Sequence, residues 1–530
     1  MCACASRDGV YLGDRRARAT VPARQRRGAQ KRAAAGGQVN STYFAEGFPY
    51  ALVNNVAEVL FNALGASLAA IGLTAVFHLP WNIKFLWAPV LDAHETKRSF
   101  LVGCEWIIAA LVLLLALAGT GISLPLASAI FVALAFASAT HDIAIDAYYL
   151  EALDADDQSR YVGLRAAAFR AAALVASGPL LVVAGYWGWH ATWALALAIM
   201  IVLVVLHREW LPRVESRRRP LRLWLRGLLR PRVLALLGLA AGLLALDAAV
   251  GWLRRPWRAL QQELARIPGL RELDAAGWIG VALLLLVIPT LVSLPWLRRR
   301  LRRSESNYAR AFVAYLDHPD ISRALALIVL FRTGESFLMK MRMPFLRNEC
   351  GLSLETYGMV NGTLGFLATL LATLAGGWLI ARYGLRRCLW PMVLAQNLPN
   401  LLYAVLAAAD PSSLGTPAVA AVVIVEDIGA GFGTAVFMVY IMRCCDPRHK
   451  ATHMALMTAI MSIGFTLAGA ASGFVVPWVG GWTNFFALTF VATIPSMLVL
   501  PFAPFVDRSR ADEVAAAEAA AATADRSRPQ

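Results

Sequence analysis

From Phe48 to Phe505 the chain returns repeatedly to apolar stretches of about 20 residues, and this recurrence limits its fold more than any other feature. As a helix, each stretch is long enough to cross a hydrocarbon core of roughly 30 Å. Hydrophobic residues make up 58% of the 530 residues and charged ones only 16%, a balance that no soluble domain of this length could keep off its surface. Lipid is therefore the expected solvent and an all-α polytopic membrane protein the expected class. A transmembrane barrel is excluded, because its strands alternate and are short.

The spans read 41–62, 68–91, 99–119, 124–150, 162–185 and 189–208 in a first group of six. A second group of six reads 318–345, 356–381, 387–408, 417–443, 451–477 and 482–505. Two further apolar segments, 232–253 and 277–297, sit between the groups within a basic linker, 209–317, and flank the amphipathic stretch 254–277. Two apolar runs of that length favour crossing, which gives fourteen helices. A hairpin lying at the interface would leave twelve, and would keep Arg254, Arg255, Arg258, Arg266 and Arg271 from facing outward.

The short loops 92–98, 151–165, 382–387 and 443–450 hold ten Lys or Arg, whereas those on the other side hold only Arg347. Positive loops stay in the cytoplasm, so both termini are expected there. Residues 1–40, rich in Arg, Ala and Gly, read as a disordered basic tail without a cleavable signal, and 506–530 as an Ala-rich cytoplasmic tail. The net charge of +16 sits mostly in these connections, so it reads as a topology signal and not as a nucleic-acid surface. Seven cysteines, at 2, 4, 104, 350, 388, 444 and 445, show no metal-ligand spacing and make an odd total, arguing against a disulfide framework or a zinc site. No nucleophile triad or Walker motif appears, so no enzyme and no cofactor are expected.

One motif recurs. The loop after the second span reads Ala88-Pro-Val-Leu-Asp92-Ala-His-Glu-Thr-Lys97-Arg98, and the loop in the same place of the second group reads Gly377-Trp-Leu-Ile-Ala381-Arg382-Tyr-Gly384-Leu-Arg386-Arg387. Both resemble the G-x-x-x-D-R-x-G-R-R signature of major facilitator transporters. The first copy lacks the Arg and second Gly, and the second replaces the acid by Ala381. The resemblance implies two six-helix halves related as a parallel repeat, here with a central inserted helix pair, and a substrate cavity between the halves near the midplane. It also implies gating roles for Asp92, Lys97, Arg98, Arg382, Arg386 and Arg387; on charge alone these cations would be positive-inside anchors.

Four further stretches resemble AmpG-type muropeptide permeases: 84–92 in the second helix, Asp142-Ile-Ala-Ile-Asp146-Ala in the fourth, Val360-Asn361-Gly-Thr363-Leu364-Gly365 in the eighth, and Glu426-Asp-Ile-Gly-Ala-Gly-Phe-Gly433 with the start of the eleventh span. Their order is kept across roughly residues 41–505. The chain departs in its central pair and in Lys340 and Arg342 of the seventh helix. The resemblance implies a small-molecule substrate, bulky and anionic, such as an anhydro-muropeptide taken up with protons; siderophores and acyl-coenzyme A compounds are carried by relatives. The lipid bilayer is the other expected partner and a monomer the expected state. A non-transporting membrane receptor or scaffold is the rival from another class.

Ionisable groups inside the bilayer cost at least about 2.5 kcal/mol near its centre, so each is expected to face a cavity or a partner. Lys84, Arg170, Arg332 and Asn361 are the candidates for meeting an anionic solute. Lys84 lies eight residues before Asp92, too deep for easy snorkelling. Glu46, Asp142, Asp146 and Glu426 are the candidates for proton coupling. Asp142 and Asp146 share a helix face one turn apart, with Arg160, Arg165 or Lys97 as alternative structural partners. Arg332 and Glu335, three apart, suit a mutual pair. Lys340 and Arg342 are expected, with Arg347, to form a basic outer vestibule. Trp187, Trp189, Trp478 and Trp482 read as an aromatic belt.

Overall fold

The computed structural model describes residues 23–84, 87–88, 91, 96–153, 155–213, 254–266, 296, 299–300, 320–409, 414–445 and 450–506. Their regular secondary structure is helical throughout, in two groups that coincide with the two sets of apolar spans. Among the described residues, seven helical stretches are long and apolar enough to cross a membrane by length and composition. The segments 232–253 and 277–297 lie outside the described residues apart from Trp296, while the amphipathic stretch between them forms a helix over Arg254–Leu264.

The first group opens with α1 (Ala23–Ala51), a π-helical turn (Leu52–Val56) and α2 (Ala57–Ala63). The tail expected to be disordered to residue 40 is therefore helical from Ala23 onward. Alanines 33–35, with Gln, Lys and Arg around them, are strong helix formers that continue the apolar helix backward. Pro49 removes a backbone donor, and the wider π turn follows at once, turning Asn54 and Asn55 toward the interior. The second span is broken into α3 (Leu68–Leu73), a 3-10 turn (Thr74–His78) and α4 (Leu79–Ile83), with Pro80 in the first turn of α4. Then come α5 (Lys97–Ala118), capped by the Thr96 hydroxyl on the Ser99 amide, α6 (Leu124–Ala152), α7 (Ala155–Ser177) and α8 (Pro179–Trp210). Gly188, at φ 78°, makes the turn expected between the fifth and sixth spans.

The second group begins with α9 (Ile321–Phe331) and α10 (Thr333–Pro344), followed by a π turn (Phe345–Glu349) directly after Pro344; in the first helix the π turn starts three residues after Pro49. The eighth span is α11 (Leu354–Tyr357), a long π stretch (Gly358–Gly365) and α12 (Phe366–Tyr383). It is followed by α13 (Leu385–Asn397), α14 (Asn400–Ala408), α15 (Thr416–Cys444), α16 (Lys450–Trp478), α17 (Trp482–Val491) and α18 (Ile494–Val499).

The halves meet chiefly at the end opposite the basic loops. A Cβ on Gly362 would lie 1.8 Å from the Ser177 carbonyl oxygen, and one on Gly473 would lie 2.0 Å from that of Leu68, so only glycine lets these helices approach. Asn62 and Asn348 exchange side-chain amide bonds across the same end, at 3.1 and 3.0 Å. At the basic end, Arg98 reaches the carbonyls of Arg208 and Leu211, tying the start of α5 to the end of α8 within one half. The aromatic belt is smaller than expected. Trp187 and Trp478 are exposed, but Trp189 is buried against Trp193, and Trp482 stacks on Phe486 while its indole donates to Glu349.

Candidate functional site

A cavity of ≈400 Å³ opens between the halves. The first half contributes Tyr50, Asn54, Asn55, Glu58 and His78, all on the first two spans. The second contributes Arg332, between α9 and α10, with Glu335 and Lys340 from α10 and Glu426, Asp427 and Thr434 from α15. Most of the charge therefore lines one wall, and the facing wall is largely neutral and aromatic. Tyr50 sits edge-on to both His78 and Trp81, whose rings stack with centroids 5.5 Å apart.

Beside the cavity, Glu46, Asp142 and Asp146 bring one carboxylate oxygen each within 4.8 Å of the others. Lys84 donates to Asp142 at 2.5 Å and Arg165 to Asp146 at 2.8 Å, with the Tyr43 hydroxyl on the same Asp146 oxygen at 2.9 Å. Both cations are thus engaged, and Glu46, itself buried, has an oxygen without any donor. Three carboxyls share two cations. If all three ionised they would leave a net negative charge in the bilayer, and a bound proton removes it.

The opposite wall repeats this arithmetic. The Arg342 guanidinium bonds Glu426 and also Asp427, the latter at 3.1 Å, and all three side chains are buried. Arg332 pairs with Glu335, as their spacing suggests, and its other nitrogen donates to the Thr434 hydroxyl at 3.1 Å. Gln396 donates to the second Glu335 oxygen at 2.6 Å. The glycines after Asp427 serve packing: a Cβ on Gly433 would collide with the Gln396 side chain.

Among the described residues, one ion pair joins the halves. Lys340 donates to Glu58 at 2.7 Å and to the Thr74 hydroxyl at 3.2 Å, on the cavity wall near the closed end. The basic outer vestibule is accordingly absent. Lys340 and Arg342 lie inward against acids, and Arg347 donates to the Leu352 carbonyl, because buried cations need partners. Lys340→Glu should slow transport at least tenfold, since it sets two buried acids together. Lys340→Glu/Glu58→Lys should restore much of that rate in the same assay; equal rates in the single and double variants would contradict the pairing.

Two halves of helices closing on a cavity with a repeated charge pattern describe a class of carrier, and sequence comparison decides which. Residues 39–316 and 325–528 match the family described as Major Facilitator Superfamily. The chain belongs to that superfamily. Among curated relatives it is 26% identical over 465 residues to the anhydromuropeptide permease of Escherichia coli K12, spanning 86% of this chain and 77% of that one. It is 25% identical over 470 residues to an uncharacterized protein of Haemophilus influenzae and 20% identical over 464 to a putative transporter, AmpG 4, of Rickettsia conorii. These cover 87% and 86% of this chain, and 92% and 93% of the relatives. A POT family transporter solved with 5-aminolevulinic acid shares the fold, with TM-score 0.62, 15% identity and coverage of 89% of this chain and 96% of that one. The nucleoside transporter NupG shares it at TM-score 0.54 and 15% identity, over 90% of this chain and all of that one.

Within this facilitator fold the expected solute-binding residues separate. Arg332 lines the cavity, Lys84 is held by Asp142, and the Asn361 amide donates to the Tyr357 hydroxyl at 3.0 Å. Arg170 is half-buried on α7. Of the loop residues, Lys97 is almost wholly buried and donates to the Leu91 carbonyl at 2.8 Å, while Arg382 covers the Trp378 ring. Arg386 and Arg387 are exposed, and Asp92 lies outside the described residues. Glu58 was missed in the sequence. Its only signal is an acid placed within an otherwise apolar span, twelve residues after Glu46.

Proposed function

We propose that this superfamily transporter imports a bulky solute of the anhydro-muropeptide class across the bacterial cytoplasmic membrane, driven by protons. Alternating access would proceed around the cavity between the halves. The observation that carries the proton reading is the charge count at Glu46, Asp142 and Asp146, where two cations serve three carboxyls. A site neutral only when protonated can change access without moving a bare charge through lipid. The relation to the anhydromuropeptide permease and the size of the cavity support the solute class.

In this reading Arg332 meets the anionic part of the solute from the cavity wall. Lys84 passes from the solute to the proton site, where it holds Asp142. Arg170 and Asn361 stand behind the wall and reach the solute only in another state of the cycle. The basic loops face the cytoplasm with both termini, the central pair crosses to make fourteen helices, and the carrier works as a monomer. The conformation described is then closed to the outside, because the halves meet at the end opposite those loops.

Competition for binding to purified protein tests the solute class. Unlabelled GlcNAc-anhydro-MurNAc-tripeptide should displace its labelled form, while a ferric siderophore and an acyl-coenzyme A should not. Displacement by either of the last two alone would overturn the assignment.

A further inference from the structure

We propose that the second half carries a proton site of its own, built from Glu335, Glu426 and Asp427, so that two protons accompany each solute. The inference rests on the proton-coupled reading above and adds a second, separate site to it.

The two halves repeat the chemistry as well as the fold. Glu46-Gly-Phe48 on the first helix corresponds to Glu335-Ser-Phe337 on the seventh, an acid two residues before a phenylalanine in each case. Asp142 and Asp146 lie on the fourth helix; Glu426 and Asp427 lie on the tenth, its counterpart in the repeat. In the first half three carboxyls face Lys84 and Arg165. In the second, three face Arg332 and Arg342. Lys340 balances nothing here, since Glu58 holds it.

An independent feature marks the group in excess. Asp427 is 6% exposed, lines the cavity, and has one carboxylate oxygen without a donor. Its other oxygen takes the Arg342 guanidinium and, at 3.2 Å, the Thr369 hydroxyl. The unpartnered oxygen lies where a Cβ on Gly365 would be 2.0 Å away, so glycine makes room for it. Glu46 is left with an unpartnered oxygen in the same way in the first half. The other charged or titratable groups near Arg342 and its two acids are Glu335, Tyr357, Tyr403 and Glu58, and the cation of Glu58 is Lys340. A fully ionised cluster would keep one uncompensated charge in the bilayer, so the cluster takes up a proton from water on one side and releases it on the other, with no bond made to the solute.

The count of protons per solute decides this. The full chain, purified and reconstituted in proteoliposomes with an internal pH dye, would move labelled GlcNAc-anhydro-MurNAc-tripeptide. Two protons per solute are expected for the natural sequence, and one for Asp427→Asn or, if that variant does not purify, for Glu335→Gln. One proton in the natural sequence would overturn the second site while leaving coupling through the first half intact. Two in the Asp427→Asn protein would also overturn it. Solute movement without protons would refute the coupling reading itself, and this inference with it.

Discussion

Arg342→Met is expected to give little folded protein, because it strips two adjacent buried acids of the cation that, among the described residues, alone pairs with them. Removing one partner of a buried ion pair costs about 3–5 kcal/mol, against a net stability of about 5–15 kcal/mol for an ordinary domain. Here one guanidinium serves both Glu426 and Asp427. Membrane yield and thermal stability in detergent measure the effect. Arg342→Met/Glu426→Gln/Asp427→Asn, which removes the acids as well, should recover most of the yield. A single variant as stable as the natural protein would mean that the acids are neutral without Arg342, and the charge count would fail.

The second expectation concerns accumulation. A gradient of one pH unit is worth about 1.4 kcal/mol per proton, or tenfold in concentration for each proton carried. Glu46→Gln fixes the unpaired carboxyl of the first half in a neutral form, so the site no longer gains and loses its proton. Accumulation in a vesicle carrying a one-unit gradient should fall by about tenfold. Unchanged accumulation at equal protein level would remove Glu46 from the proton path. The loss should persist at high salt, because the cluster lies within the bilayer, where ions screen little.

The architecture was legible in the sequence wherever one pattern repeated often enough. Apolar spans of membrane length placed nearly every helix, and the twice-repeated loop motif fixed the two halves. The start of the first helix was not legible, because Arg-rich composition reads as disorder while the alanines and glutamines among those residues extend the helix to Ala23. Pairing was legible only where it was local. Arg332 and Glu335 are three apart on the chain, and Asp146 had Arg165 among its named candidates. Lys340 with Glu58 and Arg342 with Glu426 join positions far apart on the chain. Without those contacts, cations deep in the seventh helix looked like a basic vestibule, when each offsets an acid.

That correction changes how the cavity recognises its solute. The sequence suggested a basic pocket for an anion, but Lys340, Arg332 and Arg342 are all neutralised by acids, and Glu58, Glu335, Glu426 and Asp427 all line the wall. If the solute is anionic, as proposed, its carboxylate would compete with Glu335 for Arg332. In that reading the competition would link solute binding to the protonation of nearby acids, because a protonated carboxyl gives up its cation more easily than an ionised one.

Uptake of labelled GlcNAc-anhydro-MurNAc-tripeptide into right-side-out membrane vesicles, with and without an inward proton gradient, is the most direct measurement. A proton-driven importer predicts accumulation that rises with the gradient and collapses when a protonophore dissipates it. Uptake indifferent to the protonophore, or none from vesicles rich in folded protein, would contradict the account.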